Sequence, residues 1–373
     1  MRILQIAPLA ERVPPLAYGG TEAVVSLLAD GLVRAGHEVV LWASGDSLTR
    51  AELRSVYPHG LRLDPAVADQ HPYKWVHAVE AIKDAQEFDI IHNHDGERVM
   101  ALASLADVPM LTTMHCLIDP DTKFIWERYR GFFNTVSQAE RTTIPPLAGP
   151  RFAGVVYNAV DVASFPFRAD KEDYLLFIGQ IASSKGAHLA VQVARGLGAR
   201  LIIAGKIDSQ NRQYFAETIE PYIDGKQIQF LGEVGYEKRE LYASARCLLV
   251  PICWEEPFGL VMPEAMACGT PVIAFNRGSA PELIVDGETG YIVRNVDEMA
   301  QAVCRIDRLD PRRCRQHVEE HFDAPIMVQR YLKIYQRILA WETSQVEARA
   351  VPVVPSQGMR VAQKTIDLRS RPM

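Results

Sequence analysis

The chain has 373 residues, a length that at ~150 residues per domain predicts about two domains. With 48% hydrophobic and 23% charged residues, its composition excludes a disordered chain, a collagen-like fibre and a disulfide miniprotein. Lys+Arg number 40 against Asp+Glu 46, a net charge of −6, so no global positive field draws the chain to nucleic acid.

The first residues, MRILQIAPLAERVPP, hold an apolar run too short for a signal-peptide core, interrupted by Glu11 and Arg12. Residues 2–7 read instead as a first strand. No stretch approaches ~18 uncharged apolar residues, so no transmembrane segment is expected, and peripheral membrane contact stays open. The six cysteines form no CxxC pair and several sit in apolar runs, which points to reduced thiols, a cytoplasmic protein and no zinc site.

Five strands are expected in the first half: 2–7, 38–43, 89–92, 110–114 and 132–136. After the first, Thr21 is expected to cap a helix carrying Val24, Leu27, Leu28 and Leu32 at helical spacing, ended by Gly36. Residues 157–173 are polar and turn-rich and read as a linker. The pattern then restarts with strands at 174–178, 200–204, 228–231, 247–250 and 271–275, separated by helical patterns that include 187–198 and 260–268. Alternating strands and helices argue for α/β architecture with parallel sheets, here two facing Rossmann-like halves. An amphipathic helix follows at 326–340, with Val328, Tyr331, Leu332, Tyr335, Ile338 and Leu339 on one face. From about 346 the chain holds three prolines and five Lys/Arg against two acids, and reads as a flexible tail.

The most informative stretch is WEEPFGLVMPEAMACGTPVIAF, 254–275. Phe258-Gly259-Leu260 should open a helix, with Glu256 on the loop before it and Glu264 about one turn inside. The first N–H groups of a helix are free and sit at its positive end, and Gly259 lets a ligand approach them. Carboxylates placed there can accept hydrogen bonds from a polyol, each worth ~1.5–3 kcal/mol.

This string resembles the donor-binding signature of glycosyltransferase family 4, and the resemblance runs over roughly residues 1 to 340. It implies the GT-B architecture: residues 1–165 an acceptor-side domain, joined by a helix at 326–345 packing back on it, 166–325 a nucleotide-sugar donor domain, and 346–373 a tail. It implies a retaining hexosyltransferase that moves sugar from a nucleoside diphosphate sugar to an acceptor hydroxyl, with no cofactor and no metal required. Glu264 would grip the ribose, and Glu256 would hold a hydroxyl of the donor sugar, helped by backbone groups at Phe258, Gly259 and Leu260.

In FIGQIASSKGAHL, 177–189, a strand end meets a helix start, the place where α/β sheets bind ligands. Lys185 there can meet a diphosphate as a point charge. The family carries an arginine where this chain has Gln180, and losing one preorganised charge or donor typically costs ~2.7–4 kcal/mol. Lys206, in the next loop, is either a substitute or a solvated lysine. In YGGTEAVV, 18–25, Gly19 and Gly20 form either a tight turn or the glycine-rich loop that the family turns toward the donor phosphates. His115, just past a strand end, matches the family's cleft histidine near the donor sugar, where a neutral imidazole can orient a hydroxyl; backbone bonding explains it equally.

His92, His94 and Asp95 imitate a metal cluster, but no third ligand has convincing spacing. Asp119 and Asp121 read as turn residues around Pro120. Residues 227–234 match the segment where the family seats the nucleobase, and Glu282, in a further matching block at 275–293, reads as structural. Commonness alone makes UDP-glucose the first donor to consider and GDP-mannose the next. The acceptor is left open among saccharide, lipid and small metabolite. A phosphorylase or epimerase of the same architecture, or a non-catalytic nucleotide-sugar binder, are the alternatives. An oxidoreductase is disfavoured by the missing GxGxxG.

Overall fold

Among the described residues, thirteen strands assemble into two parallel sheets with helices on their faces. The computed structural model describes residues 1–345 in full and the backbone of 346–350. The tail expected over 346–373 lies outside the fully described residues. The first sheet holds β1 (Arg2–Ile6), β2 (Glu38–Trp42), β3 (Glu52–Arg54), β4 (Ile90–Asn93), β5 (Met110–Thr113), β6 (Phe132–Thr135) and β7 (Arg151–Val155), in the order β3-β2-β1-β4-β5-β6-β7. The second holds β8 (Leu175–Ile178), β9 (Leu201–Ala204), β10 (Ile228–Phe230), β11 (Cys247–Val250), β12 (Val272–Phe275) and β13 (Gly290–Val293), in the order β10-β9-β8-β11-β12-β13.

Ten of these strands match the sequence expectation to within a residue or two. β3, β7 and β13 were not anticipated: they lie at sheet edges, where β3 and β7 are partly exposed, and their short runs carry little apolar signal. Helix Gly20–Arg34 also departs from expectation at its start. Gly19, not Thr21, is its N-cap, and no side chain caps it.

Both sheets reverse their strand order once, between β1 and β4 and again between β8 and β11. Chain crossovers leave in opposite directions at such a switch point, so the loops after its strands open a crevice at their carboxyl ends. In the first lobe these are the loops after Ile6 and Asn93. In the second they are the loops after Ile178 and Val250.

The two lobes are tied by more than the segment near 157–173. Helix Ala324–Ala350 returns to the first lobe, where Met327, Val328, Tyr331, Ile334, Tyr335 and Ile338 join Val24, Leu28, Leu32 and Ile90 in one buried cluster. The first-lobe core is therefore completed by residues more than 300 positions after β1. Glu282 of the second lobe accepts the N–H groups of Gln138 and Ala139 at 2.8 and 2.5 Å and the Tyr157 hydroxyl at 2.8 Å, so it joins the lobes at the start of helix Gln138–Thr143.

Candidate active site

Helix Val261–Ala267 begins after Leu260, within a residue of the helical pattern expected over 260–268. The loop before it depends on two glycines. Gly259 has φ 76°, and a Cβ there would meet the Met262 methyl at 2.7 Å; Gly278 has φ 52°, and its Cβ would lie 2.4 Å from the backbone of Glu256. The loop is clamped further by the Ser279 hydroxyl, which donates to the Phe258 carbonyl at 2.5 Å, and by the Ser279 N–H on the Glu256 carbonyl at 3.0 Å. The Phe258 ring is buried in the second-lobe core, so only its backbone can serve a ligand. The N–H groups of Gly259 and Leu260 have no acceptor among the described residues.

Lys185 and Glu256 are brought into direct contact, and the Trp254 indole N–H donates to the same carboxylate at 2.8 Å. Lys185 also stands over the Trp254 ring, 4.9 Å from its centre. Glu264 is buried. It accepts from the Lys238 ammonium at 2.6 Å and from the Tyr242 hydroxyl at 2.9 Å. Sequence reading missed both partners. A signal was present: Lys238 and Tyr242 are four apart in helix Lys238–Ser244 and so share a face.

At Gln180, where the family's positive charge is missing, the amide donates to Asp208 at 2.5 Å. The other oxygen of Asp208 holds Lys206 at 3.3 Å, and the Lys206 ammonium lies 3.7 Å from the centre of the Tyr18 ring. Lys206, with only 12% of its side chain exposed, is thus a positioned cation rather than a solvated loop lysine.

A cavity of about 440 Å³ lies between the lobes. Gly19 and Gly20 line it from the first lobe, and Lys206, Leu260 and Glu264 line it from the second. A Cβ on Gly20 would stand 3.4 Å from the Leu260 side chain, so the two loops nearly touch. Gln180, Lys185, Glu256, Phe258, Gly259 and His115 are not among its lining residues. Arg62, 5.9 Å from the centre of the Tyr18 ring, forms a bidentate pair with Glu233 across the cleft at 2.8 and 3.2 Å and also engages the buried Glu11. Glu11 showed in the sequence only as an interruption of an apolar run and Glu233 only within the segment 227–234, because nothing local marks a pair 171 residues apart.

His115 is half-buried, and its Nε2 lies 3.1 Å from Nδ1 of the buried His94. Burial pushes its pKa down to about 4, so it is a neutral imidazole at physiological pH. His92 and His94 are held neutral for the same reason, and both spend their ring nitrogens on side chains of the first lobe. Asp95, pushed up to about 7 by burial, has one oxygen near Arg98 at 3.5 Å and the other without a partner among the described residues. Asp119 caps helix Pro120–Trp126 through a capping box with Thr122.

Residues 163–315 match the family model described as glycosyl transferases group 1, and residues 18–164 match the model for Glycosyltransferase Family 4. A glycogen synthase from Mycobacterium tuberculosis is 27% identical over 359 residues, covering 81% of this chain and 85% of that protein. Among solved structures, AviGT4, a glycosyltransferase involved in avilamycin A biosynthesis, superposes with a TM-score of 0.72 at 26% identity over 91% of this chain and 98% of that one. Anabaena HepE, solved in complex with UDP-glucose, shares the fold with a TM-score of 0.66 at 17% identity over 92% of this chain and all of that one (100%).

Proposed function

The chain belongs to glycosyltransferase family 4, the group 1 glycosyltransferases, and takes its sugar from a nucleotide donor; from that premise we propose which residues hold the donor and how the hexose is transferred. Residues 166–325 serve as the donor side, and residues 1–165 with the helix at 326–345 serve as the acceptor side. Glu264, kept in place by Lys238 and Tyr242, grips the ribose hydroxyls. The diphosphate lies between the N–H groups near Gly259 and Leu260, Lys185 and Lys206, and faces Gly19 and Gly20. Glu256 and His115 hold hydroxyls of the sugar. Gln180 carries no charge itself but donates to Asp208, so Lys206 supplies the cation that an arginine at 180 would have brought.

The leaving diphosphate gains negative charge as the bond to the anomeric carbon breaks, so preorganised cations and N–H donors stabilise the transition state more than the bound donor. The electron pair of that bond departs with the diphosphate. The acceptor oxygen bonds to the anomeric carbon from the same face, and its proton passes to the departing phosphate oxygen, so the configuration is retained. The Arg62–Glu233 pair draws the lobes together and excludes water that would hydrolyse the donor.

The observation that carries this reading is the convergence of the loops after β1 and β8 on one cavity, each at the switch point of its own sheet. The test is calorimetric titration with UDP, GDP and their hexose conjugates, UDP-glucose first. A nucleoside diphosphate sugar is expected to bind and to release its hexose to an acceptor with the anomeric configuration kept. An inverted product, or no binding by any nucleotide, would overturn the assignment.

A further inference from the structure

Asn134, Thr113, His92, Tyr335, Gln5, His94 and His115 of the first lobe form one hydrogen-bonded chain whose direction can be worked out. Asn134 of β6 places its amide nitrogen 3.3 Å from the Thr135 carbonyl, which can only accept. Its amide oxygen therefore faces Thr113 of β5, and the Thr113 hydroxyl donates to it at 2.7 Å. With its proton committed, Thr113 can only accept from Nε2 of His92 in β4, at 2.7 Å. His92 is neutral, so its Nδ1 is bare and takes the proton of the Tyr335 hydroxyl at 2.6 Å. Tyr335 then accepts from the Gln5 amide nitrogen at 3.0 Å, which turns the Gln5 amide oxygen toward Nε2 of His94 at 3.0 Å. His94 must donate there, which leaves its Nδ1 bare to accept from Nε2 of His115 at 3.1 Å.

We infer that Gln5, His92, His94 and Tyr335 are positioning residues that hold His115 as its Nε2–H tautomer, so that its Nδ1 meets the donor sugar only as a hydrogen-bond acceptor. Among the described residues His115 Nδ1 has no partner, and it is not among the buried unpartnered atoms, so it is open to a ligand. This rests on the reading that His115 faces the sugar. It goes beyond that reading in assigning roles to Gln5 in β1 and to Tyr335 in the returning helix, neither of which reaches the cavity. The tautomer of a histidine is set by the bond its other nitrogen makes, and here that bond is the last in a series that starts at a backbone carbonyl.

The test is long-range nitrogen–proton NMR on the full chain with labelled histidine, the His115 signals being assigned by their loss in His115→Gln. The expected wild-type spectrum has a protonated Nε2 and a bare Nδ1 at His115. The Gln5 amide nitrogen also lies 3.4 Å from Nδ1 of His92, so Gln5 keeps its direction even without the Tyr335 hydroxyl. Gln5→Leu removes the link between His92 and His94, and His115 is then expected to show both tautomers, with kcat lowered roughly 2–10-fold and the donor KM little changed. Tyr331→Phe is the control: its hydroxyl sits beside Thr113 and Asn134 without setting the direction, so the tautomer stays as in the wild type. A protonated Nδ1 in the wild type, or a single unchanged tautomer in Gln5→Leu, overturns the inference. A mixed tautomer with unchanged kcat leaves the chain standing and overturns instead the contact between His115 and the sugar.

Discussion

In the second lobe β8, β9, β11 and β12 are apolar from end to end, and Lys185, Lys206, Glu256 and Glu264 all lie beyond their carboxyl ends. In the first lobe β1, β4, β5 and β6 bury Gln5, His92, Asn93, Thr112, Thr113 and Asn134 inside the sheet itself. The second lobe shapes its loops by close backbone approach at glycines, while its core stays a hydrophobic solid. The first lobe ties His115 to its sheet through side-chain hydrogen bonds threaded across four strands and a distant helix. Charge that must meet a phosphate can stand on a loop held by backbone. A proton whose placement matters needs a continuous, fully partnered path, since a buried polar group left unmade costs ~1–3 kcal/mol.

The sharpest way to break this contrast is at Lys185. Replacement by alanine is expected to lower turnover by ~10²–10³, equivalent to ~2.7–4 kcal/mol, as for loss of one preorganised oxyanion donor. Glu264→Ala is expected to weaken nucleotide binding instead. Calorimetry for binding beside steady-state kinetics separates the two, and equal effects on both constants in both variants would show that the lobe does not divide its labour this way.

The next effect is on stability against pH. His77 is buried, bonded through Nε2 to the Ala7 carbonyl at 2.9 Å, and pushed down to about 4. A depressed histidine pKa contributes stability that is complete above the unfolded value near 6.5 and is lost as pH falls toward 4. Asp95 has the opposite sign: raised to about 7, it contributes stability that is present below pH ~4 and lost as pH rises through 7. Both windows fall between about pH 4 and 7 with opposite slopes, so thermal unfolding there should show His77→Gln removing a limb that rises with pH and Asp95→Asn removing a limb that falls with pH, each by on the order of 1–2 kcal/mol. A limb that keeps its slope in the matching variant would remove that group from the account.

The smallest expected effect on stability belongs to Glu233→Gln, which leaves Arg62 its buried partner Glu11. The Arg62–Glu233 pair is partly exposed, and such pairs contribute ~0–1 kcal/mol. Because the pair spans the lobes, its loss should still appear as a higher ratio of donor hydrolysis to transfer. An unchanged ratio would show that closure does not depend on it.

The contrast also explains what could be read in advance. The run from Trp254 to Phe275 was legible because loop, helix start and following strand are consecutive, so spacing alone fixes their relative positions. Glu282 was legible as structural, though the linkage of two lobes that it makes was not. In the first lobe the interruptions were visible, since Gln5 and His92 break apolar runs, but a single sequence does not say that Tyr335, 330 positions from Gln5, completes them. β3, β7 and β13 escaped because short edge strands have one neighbour and little need of a long apolar run. Thr21 was a reasonable cap by residue type, yet Gly19, whose φ of 141° suits glycine, is the N-cap, so the helix starts two residues earlier.

The return of helix Ala324–Ala350 to the first sheet has a consequence for the order in which the molecule is made. A ribosome releases β1 to β7 long before Tyr331 and Tyr335 leave the exit tunnel, so the lobe synthesised first waits with an open seam beside Leu28 and Ile90 while the whole second lobe is made. Maturation thus runs against the direction of translation: the earlier half becomes native last, and His92 acquires its Tyr335 partner only then.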